Sequence, residues 1–410
     1  MASCLAAAVG SSFAMNSTSI FFPLLEEEFG WSRAAISAGL AIGRAEAGVI
    51  GPMEGYLVDR WGPRLAMLTG MGILGLGLLL FSQVNSLLSF YLVFFLVIAL
   101  GHGLGAQVAP SVAVANWFRR RRGLAYGIFR SGPGLGGFFL LLVSFLVVAL
   151  GWRQTVVVMG FITLAVGLPM ALVMRTRPED YGYLPDGAAL ETPQPSRVLG
   201  EGAIPAHPPR EEPHFTVGQA LRTSRFWLLG ISIGLRVAVT TAVTLHLVVM
   251  LVDRGIAFTL AGALLGTVEV VSIVGRLGLG WLGDYLDRRR LMMGALVLLG
   301  ASVFLMGQTA DLRLFVPATL VFALTLGGLA SSQDALRADY FGTHSFGAIS
   351  GFNRSLQTVG GVLGPIMAGL IYDNTHSYHI AFTIFAAAAL LSMVCLALCR
   401  RPRLFSPPHS

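Results

Sequence analysis

The 410-residue chain has no lysine: all 28 of its basic side chains are arginine. That absence excludes Schiff-base chemistry and any lysine amine tuned to titrate. Charge of either sign is scarce, since charged residues make up 12% of the chain where a soluble chain carries about 25%. A soluble enzyme is excluded with it. The three cysteines, Cys4, Cys395 and Cys399, lie within apolar segments and offer neither a metal-ligand spacing nor a disulfide framework. No Walker loop is there to cradle a nucleotide phosphate, and no nucleophile stands at a convincing spacing from a base. We therefore expect neither an enzyme nor a bound cofactor or metal.

What is abundant is apolar residue, 55% of the chain, with a mean hydropathy of +0.72. It comes in stretches of about 20 or more, the length an α-helix needs to cross about 30 Å of hydrocarbon. The alternating strands of about 10 residues that build a membrane β-barrel are not the pattern here. Twelve stretches can be marked, at 2–25, 33–57, 65–84, 88–118, 122–149, 152–175, 226–252, 259–284, 291–310, 313–339, 346–372 and 378–399. The first has no basic start and no cleavage pattern, so it reads as a retained span, one that a longer N-terminal tail could precede. A segment rich in proline, glutamate and arginine parts the stretches into two sets of six. The expected organisation is a bundle at 1–175, a linker at 176–223, a second bundle at 224–400 and a tail at 401–410. This is an all-α membrane protein with twelve transmembrane helices in two pseudo-symmetric six-helix bundles.

Arginine placement orients those helices. One set of loops holds Arg60, Arg64, Arg119 to Arg122, Arg288 to Arg290, Arg400, Arg401 and Arg403; the other holds little beyond Arg33, Arg153, Arg254 and Arg313. The positive-inside rule makes the first set cytoplasmic, together with both termini and the linker. The same placement explains the net charge of +7 by topology and anionic lipid, so no nucleic-acid partner is expected.

The two halves repeat each other at an offset of 224 to 225. Gly55-Tyr-Leu-Val-Asp59 falls on Gly280-Trp-Leu-Gly-Asp284, and Gly127-Ile-Phe-Arg130-Ser131 falls on Gly351-Phe-Asn-Arg354-Ser355. Parallel repeats of six helices imply two bundles related by an axis along the membrane normal, with a cavity between them near the midplane. In each copy the glycines allow close helix approach, and the aspartate can face the positive N-terminus of a neighbouring helix.

The loop Gly55-Tyr-Leu-Val-Asp59-Arg60-Trp-Gly62-Pro63-Arg64 and its echo Gly275-Arg276-Leu-Gly-Leu-Gly280-Trp-Leu-Gly-Asp284 resemble the signature loop of the major facilitator superfamily. A narrower resemblance rests on Phe21-Phe-Pro-Leu24-Leu25 through Glu28-Phe-Gly-Trp-Ser-Arg33-Ala34, on Asn116-Trp-Phe-Arg-Arg-Arg-Arg-Gly123-Leu-Ala-Tyr-Gly127, and on Arg177-Pro-Glu-Asp-Tyr-Gly182. These resemble the monocarboxylate transporters, their bacterial homologues included, and the neighbouring oxalate/formate antiporters. The resemblance implies a monomeric carrier, in the inner membrane of a bacterium, that moves a small monocarboxylate anion of the lactate and pyruvate class with a proton by alternating access; the alternatives are exchange of carboxylates in the oxalate/formate manner and a non-transporting membrane sensor. It also implies dependence on an arginine of the eighth helix, which the repeat alignment puts at Arg276. The aspartate expected four residues earlier is replaced by Ser272, and the family lysines have no counterpart.

The intramembrane polar residues can be weighed on their own. Arg276 lies eight residues before Asp284, roughly 12 Å inside its helix end at about 1.5 Å per residue. A guanidinium at that depth faces the bundle interior and offers a carboxylate a planar two-donor fork; the alternative is a structural ion pair. Glu269, two turns away on the same face, is a candidate proton carrier or the partner of Arg44. His246, preceded by Thr240, Thr241 and Thr244, is a candidate for substrate or proton contact, or is satisfied by a backbone carbonyl. Arg236 is the rival anion anchor. Ser272, Leu24, Gln107 and Ser331 complete the expected substrate contacts. Gating is assigned to Asp59, Arg60, Arg64, Asp284, Arg130 and Arg354, the last two as a gate or brace between the halves.

Overall fold

Residues 1–32, 35–36, 47–187, 213, 215–309 and 311–400 are described by a computed structural model of the chain. Arg33, Arg44, Arg401, Arg403 and most of the expected linker lie outside them. Helix α1 runs as Ala2–Ser11, a π-turn Ser12–Asn16 and Thr18–Phe29; α2 is described over Gly51–Trp61 and α3 spans Pro63–Phe81. The rest of the first half is α4 (Leu87–Trp117), α5 (Arg122–Leu150) and α6 (Trp152–Val173); the second half is α7 (Ser224–Asp253), α8 (Phe258–Tyr285), α9 (Arg288–Gln308), α10 (Leu312–Phe341), α11 (Phe346–Thr375) and α12 (Tyr378–Leu398). Nine of the described helices are long and apolar enough to cross a membrane. Large apolar side chains such as Phe145, Leu245, Val274, Leu314 and Leu370 stand exposed on their flanks, as lipid-facing surface does.

The sequence boundary and the helix end differ at α1, which continues past the apolar stretch to Phe29 and stops at Gly30. A helix does not end where the hydrocarbon does. Its last turn carries Glu26, Glu27 and Glu28, and Glu28 accepts hydrogen bonds from the Trp152 indole and from Arg153. Those donors hold the Glu28 carboxyl below the usual carboxylate range. Single glycines at positive φ, Gly62 (80°) and Gly151 (78°), turn α2 into α3 and α5 into α6, a conformation that side chains with a Cβ resist. Thr223, Asp287, Asp311 and Ser377 cap the starts of α7, α9, α10 and α12. In α4, π-turns at Val93–Ala99 and Gly103–Val108 interrupt regular winding, which swells the helix where Gly101 and Gly105 lie against α3.

The apolar core divides in two. One cluster draws on residues 6 to 174, joined by Ala335, Ala338 and Phe346; the other runs from Phe215 to Cys399. The start of the linker is folded rather than trailing: the Trp117 indole donates to Arg175 O, Asn116 donates to Thr176 O, and Asp186 accepts the backbone N–H groups of Arg119 and Arg120.

Candidate functional site

At the arginine-rich end each half closes on the other through its copy of the repeated loop. Asp59 accepts the N–H groups of Gly347 and Ala348 at 2.8 and 2.9 Å. Asp284 accepts those of Gly123 and Leu124 at 2.7 and 2.9 Å. Each carboxylate thus sits on the orphan donors at the positive start of a helix from the opposite half, α11 or α5. Glycines make this possible, because a Cβ on Gly55 would stand 2.0 Å from Gly347 O and one on Gly280 2.5 Å from Gly123 O. Arg288 ties Asp284 to Asp339 at 2.8 Å each, and Arg122 joins Asp339 at 3.0 Å. Arg60 and Arg64 are exposed and stand outside this network.

Further into the molecule the equivalent arginines of the repeat find acids across the same boundary. Arg130 of α5 holds Asp334 of α10 through Nε at 2.8 Å and Nη2 at 2.5 Å, and donates to Gln107 Oε1 at 3.2 Å. Arg354 of α11 holds Glu54 of α2 at 3.2 Å. Glu54 and Asp334 are 0% and 1% exposed in their side chains; buried charge of this kind persists only when paired. Asp334 also accepts from Arg337, whose Nη1 reaches Ser350 Oγ at 3.1 Å as well. Arg236, buried, donates to the Gln333 amide oxygen at 2.7 Å. Between these side chains lies a polar cavity of about 280 Å³ bordered by His102, Gln107, Arg130, Asp334, Arg337 and Arg354.

Arg276 is half-buried on α8 and faces the other half: a Cβ built on Gly134 of α5 would stand 3.0 Å from its Nη1, and a Cβ on Gly127 would stand 2.5 Å from its carbonyl oxygen. Its Nη1 is buried without a hydrogen-bond partner. Glu269 is exposed and acts on Arg276 at a distance, and no ion pair joins the two among the described residues. The proposed Glu269–Arg44 pair falls outside those residues.

The other expected contacts scatter. His246 Nε2 lies 3.2 Å from Pro365 O and Nδ1 lies 3.0 Å from the Tyr378 hydroxyl. A carbonyl only accepts, so Nε2 carries the proton and Nδ1 accepts from the phenol; the ring is satisfied by α11 and α12. Ser272 is buried, donates to Glu269 O and lies under α10, where a Cβ on Gly327 would be 1.9 Å from Ser272 O. Ser331 donates to the carbonyls of Arg276 and Gly328. Neither serine borders the central cavity in this conformation. Leu24 packs half-buried against the first core, and Gln107 does border the cavity.

Glu54, His102 and Arg337 escaped the sequence reading. Glu54 and Arg337 were nonetheless visible as ionisable residues in apolar helices, a pattern that by default marks function. His102, buried and 3.2 Å from Ser11 Oγ, lies in the apolar helix α4 and carried the same mark.

With this geometry in view the relatives can be set beside it. A model of the Major Facilitator Superfamily matches residues 4–284 and 238–409. The chain is 27% identical over 382 residues to monocarboxylate transporter 13 of Bos taurus, covering 92% of this chain and 83% of that one. It is 25% identical over 375 residues to monocarboxylate transporter 12 of Homo sapiens, covering 85% and 70%. Among solved structures it resembles the Major Facilitator Superfamily transporter FucP in the outward conformation, with a TM-score of 0.72 at 15% identity over 98% of each chain. It also resembles the human organic anion transporter MFSD10, with a TM-score of 0.68 at 15% identity over 96% and 97%. The chain is thus a multi-pass membrane transporter and belongs to the Major Facilitator Superfamily.

Proposed function

We propose that the protein is a secondary transporter that moves a small monocarboxylate of the lactate and pyruvate class, together with a proton, by alternating access. The observation that carries this reading is Arg276: half-buried, at the boundary of the two halves, with Nη1 lacking a hydrogen-bond partner. A guanidinium so held offers a carboxylate two parallel donors. The substrate balances the charge of Arg276, so a transported proton needs its own site. Glu269, exposed and within the electrostatic reach of Arg276, is the candidate; His246 is the weaker one, because both its ring nitrogens are engaged. The closed contacts at the arginine-rich end are one gate of the cycle, with that end cytoplasmic in a bacterial inner membrane and the chain working as a monomer.

Uptake of labelled lactate and pyruvate into proteoliposomes tests the reading. Acid outside should drive accumulation, and Arg276→Lys, which keeps charge but loses the fork, should abolish it with the protein still monodisperse. Normal uptake by Arg276→Lys would remove bidentate recognition. Glu269→Gln should weaken proton-driven accumulation more than carboxylate exchange. The engagement of His246 favours one second reading, exchange of carboxylates in the oxalate/formate manner. Counterflow that persists with a protonophore, combined with uptake indifferent to the pH gradient, would select exchange over symport.

A further inference from the structure

The residues that open the linker carry no part of the transport reading, yet they are folded and held. Pro178 O accepts the N–H groups of Tyr181 and Tyr183 at 3.0 and 3.1 Å. Gly182 and Gly187 turn the chain at φ 75° and 78°, and the Arg175 guanidinium lies 4.3 Å from the centre of the Tyr181 ring. The resulting strap, 175–187, touches both turns from which the first half enters the two clamps. Thr176 packs on the turn between α2 and α3 that follows Asp59, where a Cβ on Gly62 would stand 2.9 Å from Thr176 Cγ2. At the end of α4, Trp117 and Asn116 donate to Arg175 O and Thr176 O at 2.8 and 3.1 Å. Asp186 then accepts the N–H groups of Arg120 and Arg119 at 2.9 and 3.2 Å.

Asp186 has a φ of 66°, a left-handed conformation that is uncommon for a residue with a Cβ. Glycine would adopt it at lower cost, but glycine has no side-chain oxygen to reach the two amides. Those amides belong to the residues just before α5, whose N-cap Arg121 supplies no side-chain cap. The first-turn donors of α5, Gly123 and Leu124, are instead the ones that Asp284 of the other half accepts. Where those donors point depends on the loop from Phe118 to Arg121, and Asp186 ties that loop to the strap. We propose that Asp186 is a positioning residue of the gate at the arginine-rich end: its carboxylate seats the α4–α5 loop so that the start of α5 receives Asp284, and the end is thereby held closed. The inference rests on the reading of that end as a gate.

Cysteine accessibility in the full chain tests it, with Cys4, Cys395 and Cys399 changed to alanine, Ser111→Cys at the border of the central cavity, and an impermeant maleimide applied from the arginine-rich side. Asp284→Asn weakens the clamp directly and should speed alkylation. Asp186→Gly suits the backbone but removes the acceptor, and should speed it about fivefold, the shift in open fraction that one net hydrogen bond supports. Asp186→Asn keeps an oxygen for the two amides and should stay near the parent rate; a rise equal to that of Asp186→Gly would overturn the seating role. Because Asp186 acts through the seat of Asp284, Asp186→Gly should add little in the Asp284→Asn background, and a full additional rise there would overturn the inference. A faster Asp284→Asn beside an unchanged Asp186→Gly would overturn the positioning role and leave the gate standing. An unchanged Asp284→Asn would overturn both. Should Asp186→Gly fail to fold, Trp117→Phe removes the indole donor that holds the strap at Arg175 O: faster alkylation supports the inference, and the parent rate overturns it.

Discussion

Asp334 is the residue on which most of the central charge turns. Its two oxygens serve Arg130 of the opposite half and Arg337 of its own helix, and its side chain is 1% exposed. Asp334→Asn keeps the volume and removes the charge, which leaves two guanidinium groups facing a neutral amide in a poorly solvated place. Breaking one partner of such a buried pair costs about 3–5 kcal/mol. We expect a marked fall in thermal stability of the purified protein, larger than that of Gln107→Leu, which removes a neutral acceptor from the same Arg130 and should cost about 1–3 kcal/mol. Equal melting temperatures for the two variants would show that Asp334 does not balance the cluster. The comparison separates a paired charge from an ordinary polar contact.

Among the helices, glycine contacts divide by whether they lie within a half or between halves. Gly327 of α10 packs on Ser272 of α8, with its Cβ position 1.9 Å from a carbonyl oxygen of the same half. Gly327→Ala should therefore lower stability by about 1–3 kcal/mol, the usual cost of overpacking, measured as a melting shift. Gly55 of α2 meets Gly347 of α11 across the boundary. Gly55→Leu should leave each half intact and hold the arginine-rich end apart. In a variant with Cys4, Cys395 and Cys399 replaced by alanine and Ser111, which borders the central cavity, changed to cysteine, Gly55→Leu should speed alkylation from the arginine-rich side by an impermeant maleimide. An unchanged rate would mean that this crossing does not control closure.

For the whole molecule the decisive contacts are the paired braces Arg130–Asp334 and Arg354–Glu54. Arg130 and Arg354 are repeat mates, yet their acids come from α10 and α2, which are not equivalent, so in these braces the pseudo-symmetry covers the arginines and not their acids, whereas the Asp59 and Asp284 clamps keep it in both partners. Residues in one ion pair couple in a double-mutant cycle by about 0.5–3 kcal/mol. Arg354→Gln leaves Glu54 buried without its arginine, whereas Glu54→Gln with Arg354→Gln leaves two amides. The double variant should be more stable than Arg354→Gln alone. Additive losses would show that the pair is not a unit in the protein.

The helices, their order and the twofold repeat could be read from the chain alone, because a span needs about 20 apolar residues whatever surrounds it and the Gly55–Asp59 and Gly280–Asp284 copies share one offset. The candidate site was legible in part. Arg276 stood out by depth in its helix, and the aspartates by their glycine neighbours. Partnership was not legible: that Arg130 finds Asp334, that Glu54 answers Arg354, and that both nitrogens of His246 are taken by Tyr378 and Pro365 depend on helices 119 to 300 residues apart in sequence. Helix formation in a bilayer is local, since each backbone N–H is satisfied four residues away. Charge pairing between helices is set by their rotation and depth, and only the packed tertiary structure decides those.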